Sequence, residues 1–148
     1  MPTVPDFAQR VRESFARQPA MRLIGADLVR VEAGEVEIVL PFRPEIAQQH
    51  GFVHAGIVGA ALDSACGYAA LSTMPADTGV LTIEYKLNCL APAAGERFRL
   101  VGRVRKAGRT IIVAEGDAIA VAPDGQEKLV STMSATVMTI RGRDGVVD

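Results

Sequence analysis

One carboxylate stands alone in the middle of the chain: Asp63 is the only Asp, Glu, Lys or Arg between Glu45 and Asp77. It sits within His54–Met74, which reads HAGIVGAALDSACGYAALSTM. That run is apolar or small on every side, the mark of a helix enclosed by the rest of the protein. A buried carboxylate is costly unless it is partnered, so such a residue has either a structural hydrogen bond to a neighbouring element or a chemical task. The second feature is the junction Gln48-Gln49-His50-Gly51-Phe52-Val53-His54-Ala55-Gly56, where a glycine-containing loop runs into the helix. Backbone N–H groups at such a junction can serve an ordinary polar cap, or can hold a developing oxyanion. His54 and Asp63 are nine residues apart. On a helix this puts them on opposite faces and ~13.5 Å apart along the axis. They cannot share one substrate carbonyl within a subunit. A joint site requires the helix start of one protomer and Asp63 of another, which makes dimerisation a condition of activity.

Other chemistry is less well supplied. His50 and His54 are four apart and suggest a metal pair with Asp63, but Gly51 argues against one helix spanning both, and the chain has only these two histidines. No metal or cofactor is expected. Cys66 lies in an apolar helix with no adjacent base, the setting of an inert thiol. Ser64 lacks the flanking glycines of a nucleophile elbow. The basic turn Lys106-Ala107-Gly108-Arg109 reads either as a solvated tip or as a phosphate clamp.

The elements that hold these residues follow from periodicity. Phe7, Val11 and Phe15 recur at i, i+4 and i+8, predicting an amino-terminal amphipathic helix with Pro5 suited to its first turn. Met21–Val31 reads as a strand, Glu32-Ala33-Gly34 as a turn, and Val36, Ile38 and Leu40 as the apolar face of a second strand. Pro41–Val53 is a loop of functional length. The helix from His54 approaches the ~20 residues of a membrane span. Its weakly hydrophobic Ala and Gly, its central Asp63 and its lack of flanking Lys or Arg argue against one. Leu81, Ile83, Tyr85, Leu87 and Cys89 then alternate with Thr82, Glu84, Lys86 and Asn88, a clean strand period. Phe98, Leu100 and Val104 alternate with arginines, and Lys106-Ala107-Gly108 predicts a three-residue hairpin loop. That loop would pair Arg105 with Arg109, Arg99 with Glu115 and Arg97 with Asp117, leaving Arg103, Arg105, Lys106 and Arg109 as a cationic tip. Pro123-Asp124-Gly125-Gln126 turns the chain into a last strand over about Lys128–Arg141.

The predicted class is α+β: a six-stranded antiparallel sheet wrapped around one central helix, with an extra amino-terminal helix. Residues 1–148 read as one domain, with the helix in 1–18, the core in 19–141 and a tail in 142–148. One helix cannot cover both faces of such a sheet, so a homodimer that extends the sheet and pairs the helices is expected. Composition agrees with a folded chain: 148 residues, 49% hydrophobic and 22% charged, with mean hydropathy +0.20. Sixteen Lys+Arg against 17 Asp+Glu give −1, so no global basic field holds nucleic acid or an anionic membrane. Two cysteines make no disulfide framework, and Met1–Gln18 lacks the apolar run of a signal peptide, from which a cytoplasmic location is expected.

Taken together, these residues resemble the hotdog-fold acyl-CoA thioesterases of the phenylacetate-pathway (PaaI-like) type, over about Met21–Ile140. That family's pattern is Asn, Gly, His-Gly-Gly, an Asp nine residues after the His, and a strand reading roughly T-(V/I)-E-x-K-x-N-x-L-x-P. Gly51, His54, Gly56, Asp63 and Thr82-Ile83-Glu84-Tyr85-Lys86-Leu87-Asn88-Cys89-Leu90-Ala91-Pro92 stand at matching positions. The resemblance implies that Asp63 is general base or nucleophile and that Thr82 helps hold the attacking water. It implies that Gln48, at the family's Asn, polarises the thioester carbonyl with the Ala55 N–H, beside His54. It places Lys106, Gly108, Arg109 and Pro92 at coenzyme A, and Gly56, Gly59 and Ala60 along the acyl group. Gln48 is one methylene longer than Asn, and Ala55 replaces the first glycine of His-Gly-Gly. The implied activity is hydrolysis of acyl-CoA, medium- to long-chain before arylacetyl, by a homodimer or a dimer of dimers. The rival readings are a 3-hydroxyacyl-thioester hydratase or dehydratase, which needs a His–carboxylate acid–base pair, and a non-catalytic acyl-CoA binding module.

Overall fold

The computed structural model describes residues 5–148; the first four residues of the stretch read above for a signal peptide lie outside it. In chain order the elements are α1 (Phe7–Ala16), α2 (Pro19–Ile24), β1 (Asp27–Glu32), β2 (Glu35–Pro41), a 3-10 turn (Pro44–Ile46), α3 (Ala55–Leu71), β3 (Thr78–Cys89), β4 (Arg97–Ala107), β5 (Ile111–Val121) and β6 (Glu127–Arg141). The strands form one sheet in the order β1-β2-β4-β5-β6-β3. Every pairing in it is antiparallel.

The sheet curls around α3, which touches every strand from β2 to β6. Val58, Ala61, Leu62, Ala65, Cys66, Ala69 and Leu71 are at most 1% exposed and share one core with Ile38, Leu40, Phe98, Leu100, Ile112, Ala114 and Val137. The small residues of α3 have a steric purpose. At Gly102 of β4 a Cβ would lie 2.4 Å from the Ala65 carbonyl, so glycine on the strand and alanine on the helix let the two backbones nearly touch. At 17 residues, α3 is shorter than a bilayer span, and among the described residues no helix is long and apolar enough to cross a membrane.

α1 covers one end of α3. Val11 is buried and the Phe15 ring meets Tyr68 edge to face, centroids 5.9 Å apart. Arg10 donates to the backbone oxygens of Met74, Thr78 and Asp148, tying α1 to the chain after α3 and to the tail.

Two sequence expectations are corrected. Met21–Val31 does not begin as a strand: Pro19 occupies the first turn of α2, Met21 and Ile24 are its buried face, and Gly25 ends it at φ 80°. Proline at the start and a left-handed glycine at the end are helix punctuation, and here they override the strand-like alternation. The β4–β5 register is also displaced by four residues. Arg97 pairs with Val121, Arg99 with Ile119 and Arg103 with Glu115, with a bulge between Val104 and Lys106 that takes Arg105 out of the ladder. The turn falls after Ala107, where the Gly108 N–H donates to the Ile111 carbonyl. The proposed tip is therefore half neutralised. Arg103 pairs with Glu35 and Asp117, and Arg105 with Glu115. Among the described residues Lys106 and Arg109 meet no carboxylate.

Candidate active site

Asp63 lies in the middle of α3 on the side facing β3, only partly buried. Its Oδ1 accepts the Thr82 hydroxyl at 2.7 Å. Burial pushes its carboxyl above the ordinary aspartate range, and the Thr82 hydrogen bond offsets part of that rise. The pair opens on a cavity of about 170 Å³ lined also by Gln18, Ser64, Gly67, Tyr68, Val80 and Asp148. A carboxylate held by one hydroxyl and lining a small polar cavity can take a proton from water or attack a carbonyl carbon.

The start of α3 forms a second site. His54 is the N-cap, and its Nδ1 accepts the Gly56 N–H at 2.9 Å. The Ile57 and Val58 N–H groups donate to the His54 carbonyl. Among the described residues this leaves the Ala55 N–H as the one donor of the first turn without a partner. Gln48 is held beside it by a tight loop in which its Oε1 accepts the His50 N–H. That bond fixes the amide orientation and leaves the Nε2 hydrogens free to donate. Gln48, His54 and Ala55 line a cleft of about 420 Å³ with Phe52, Val58, Cys89, Pro92 and Ser131.

Gln48, His54, Ala55 and Pro92 are thus brought together, as are Asp63 and Thr82, but the two groups open on separate cavities. Gly56 lies at the helix start against the His54 ring, whereas Gly59 faces Leu87 and Tyr85 of the same chain. Ala60 is half-buried next to it. Gly108 and Arg109 line a third cavity of about 270 Å³ with Thr73, Met74 and Arg141, at the far end of α3; Lys106 is exposed near the end of strand β4. Within one chain these groups do not meet the helix start. The Cys66 thiol is buried and pushed up to about 12, chiefly by desolvation, as an inert structural cysteine should be.

Sequence reasoning missed Gln18, Tyr68, Asp148 and Cys89 as neighbours of the two cavities. The first three come from the start of α2, from α3 and from the tail, separated by 50 residues or more, and no local period links them. Cys89 was legible only as the last position of an alternating strand.

Comparison with known proteins identifies the fold and the family. Residues 50–123, half of the chain, match the Thioesterase superfamily. The structure is similar to a thioesterase family protein from Silicibacter pomeroyi, at TM-score 0.90 and 51% identity over 92% of this chain and 99% of that one. It is similar to conserved protein PA5202 of Pseudomonas aeruginosa, at TM-score 0.75 and 28% identity over 83% and 94% of the two chains. Its fold is also like that of the E. coli PaaI protein from the phenylacetic acid degradation operon, at TM-score 0.80 and 17% identity over 96% of both chains. The wrapped sheet and central helix are those of the hotdog fold, and the chain belongs to the Thioesterase superfamily as a thioester hydrolase.

Proposed function

We propose that the protein hydrolyses acyl-CoA thioesters to a free acid and coenzyme A, working as a homodimer whose two sites are each shared between subunits. The observation that carries this reading is the pair of half-sites on α3: the Asp63–Thr82 carboxylate at its middle, and the unpartnered Ala55 N–H with the Gln48 amide at its start. Neither is complete alone. Ala55 and Asp63 are eight residues of helix apart, about 12 Å.

Strand β3 supports the way they would be joined. It is a 12-residue edge strand hydrogen-bonded on one side only, and it exposes Leu81, Ile83 and Tyr85. A long apolar edge of this kind calls for a partner. Thr82 lines the Asp63 cavity and Cys89 lines the Gln48–Ala55 cleft. Antiparallel pairing of β3 with a second copy about a two-fold axis near Tyr85–Lys86 sets Thr82 of one chain opposite Cys89 of the other. Each carboxylate then faces the partner's oxyanion donors.

In that arrangement water attacks the thioester carbon while Asp63 accepts its proton. The carbonyl electron pair moves onto oxygen, held by the Ala55 N–H and Gln48 Nε2. Collapse breaks the C–S bond, releasing the acid and the coenzyme A thiolate, which takes up the proton. The acyl group is assigned to the small-residue path of Gly56, Gly59 and Ala60. The coenzyme A phosphates are assigned to Lys106 and Arg109, beside Gly108, which a dimer of dimers would bring to the cleft from a further subunit.

The test is thiol release from acetyl- through palmitoyl-CoA and phenylacetyl-CoA. Asp63→Asn should abolish turnover while acyl-CoA binding and the oligomeric state persist. No turnover by the wild-type protein on any ester, with binding retained, would replace this reading by a binding module.

A further inference from the structure

The cavity beside Asp63 is closed by a chain of hydrogen bonds that runs in one direction. Asp148 Oδ1 accepts from Ser14 Oγ at 2.8 Å. Ser14 has a single O–H, and a carboxylate oxygen can only accept, so the 3.2 Å contact between Ser14 Oγ and the Tyr68 hydroxyl is made by the Tyr68 O–H. Tyr68 in turn accepts from Gln18 Nε2 at 3.0 Å. With its amide turned that way, Gln18 presents Oε1 to Ser64, which donates its hydroxyl at 3.1 Å. The Ser64 proton is therefore committed away from the cavity. Thr82 has likewise given its proton to Asp63 Oδ1.

Asp63, Ser64 and Thr82 all line this cavity, and with both hydroxyl protons given elsewhere the two side-chain oxygens join the carboxylate as acceptors. Three neighbouring acceptors suit a molecule with two hydrogens to give. About 170 Å³ with polar walls is ample for ordered water. Room for it comes from Gly67, four residues after Asp63 and three after Ser64, hence on the same face of α3. A Cβ built on Gly67 meets nothing within 4 Å.

We infer that Ser64 is the second acceptor of the hydrolytic water, gripping one hydrogen while Asp63 takes the other, and that the Gln18–Tyr68–Ser14–Asp148 relay fixes the Ser64 hydroxyl in the orientation this requires. With both hydrogens held, a lone pair of the water oxygen points out of the cavity towards the acyl carbon. On attack the O–H facing Asp63 breaks and its proton passes to the carboxylate. The other hydrogen stays with the new acid, and Ser64 changes no bond. The inference rests on the thioesterase reading above and adds the residues that hold its nucleophile.

Two variants test it in steady-state thiol release. Ser64→Ala removes the acceptor and should lower kcat about tenfold with KM unchanged, the loss expected for one hydrogen bond made to the attacking water. Gly67→Ala puts a methyl group into the water's space on a helix that tolerates it, and should lower kcat while raising Tm, since alanine is the better helix former. A merely structural role for these positions would make activity follow stability. Full kcat in either variant, or a Ser64→Ala loss confined to KM, overturns the assignment. If Asp63→Asn abolishes turnover while both variants keep it, the thioesterase reading stands and the water assignment alone fails. A wild-type protein inactive on every ester fails the reading itself.

Discussion

At the residue scale the site turns on how one carboxylate is kept costly. Desolvation raises the Asp63 carboxyl above its unfolded value. Between the ordinary aspartate range, near ~3.9, and that raised value, the unfolded chain has released its proton and the folded chain has not. Stability attributable to Asp63 is therefore present at low pH and lost as pH rises through this window. Asp63→Asn keeps an oxygen to accept the Thr82 hydroxyl and carries no charge. Its Tm should exceed wild type at pH 7, and the gain should vanish below the ordinary aspartate range, as thermal melts across pH would record. The same shift sets activity: the acid limb of kcat/KM should have its midpoint above ~3.9, because the base must be ionised. A second residue-scale prediction concerns Ala55. It is the first helical residue, and His54 before it sits at φ −60°, ψ 134°, a conformation that a following proline accepts. Ala55→Pro thus removes the one unpartnered N–H with little cost to the fold. It should lower kcat about 10²–10³-fold, the usual effect of losing an oxyanion donor, with Tm within a few degrees of wild type. Asp63 was legible in sequence because it interrupts an apolar run. The Ala55 N–H was legible only as one of several, because which donors are left over depends on the His54 side chain turning back to Gly56.

At the element scale, periodicity found what period alone determines. The central helix, the alternation of β3 and the turn at Asp124-Gly125 came directly from residue types, since each is a local pattern. The β4–β5 register did not. Its predicted loop, Lys106–Gly108, falls two positions before the observed 108–110, and the bulge at Arg105 is a feature of the folded sheet that no hairpin rule contains. α2 was misread because six residues show too little period to separate a helical turn from a strand. The tightest joint between elements, β4 on α3, yields a ranked prediction. At Gly102 a Cβ would strike the Ala65 carbonyl at 2.4 Å, backbone against backbone, whereas at Gly116 it would meet the Cys66 Sγ and Leu62 Cδ2 side-chain atoms at 3.0 Å. Gly102→Ala should cost about 3 kcal/mol or prevent folding, and Gly116→Ala about 1 kcal/mol, because a side chain can yield where a backbone cannot. Urea denaturation midpoints of the two variants check the order.

At the scale of the whole molecule the deciding question is whether a site is assembled from two chains. Two half-sites on one helix, each opening on its own cavity, and a long apolar edge strand leading from one to the other fit a shared site better than a self-contained one. Ile83 is 53% exposed on that edge. Ile83→Lys should block strand pairing and shift the protein from about twice 15.7 kDa to the single-chain mass in solution. Activity should be lost with it, although Asp63 and Ala55 are untouched. Complementation separates a shared site from a dimer that merely stabilises each subunit. Asp63→Asn and Ala55→Pro chains, each inactive alone, are unfolded together in equal amounts and refolded. Random pairing makes half of the dimers mixed, and a mixed dimer holds one site with both defects and one with neither. Such a mixture should recover about a quarter of wild-type turnover under a two-fold arrangement. If each subunit carried its own complete site, no pairing could restore one, and the mixture would stay as inactive as its parents.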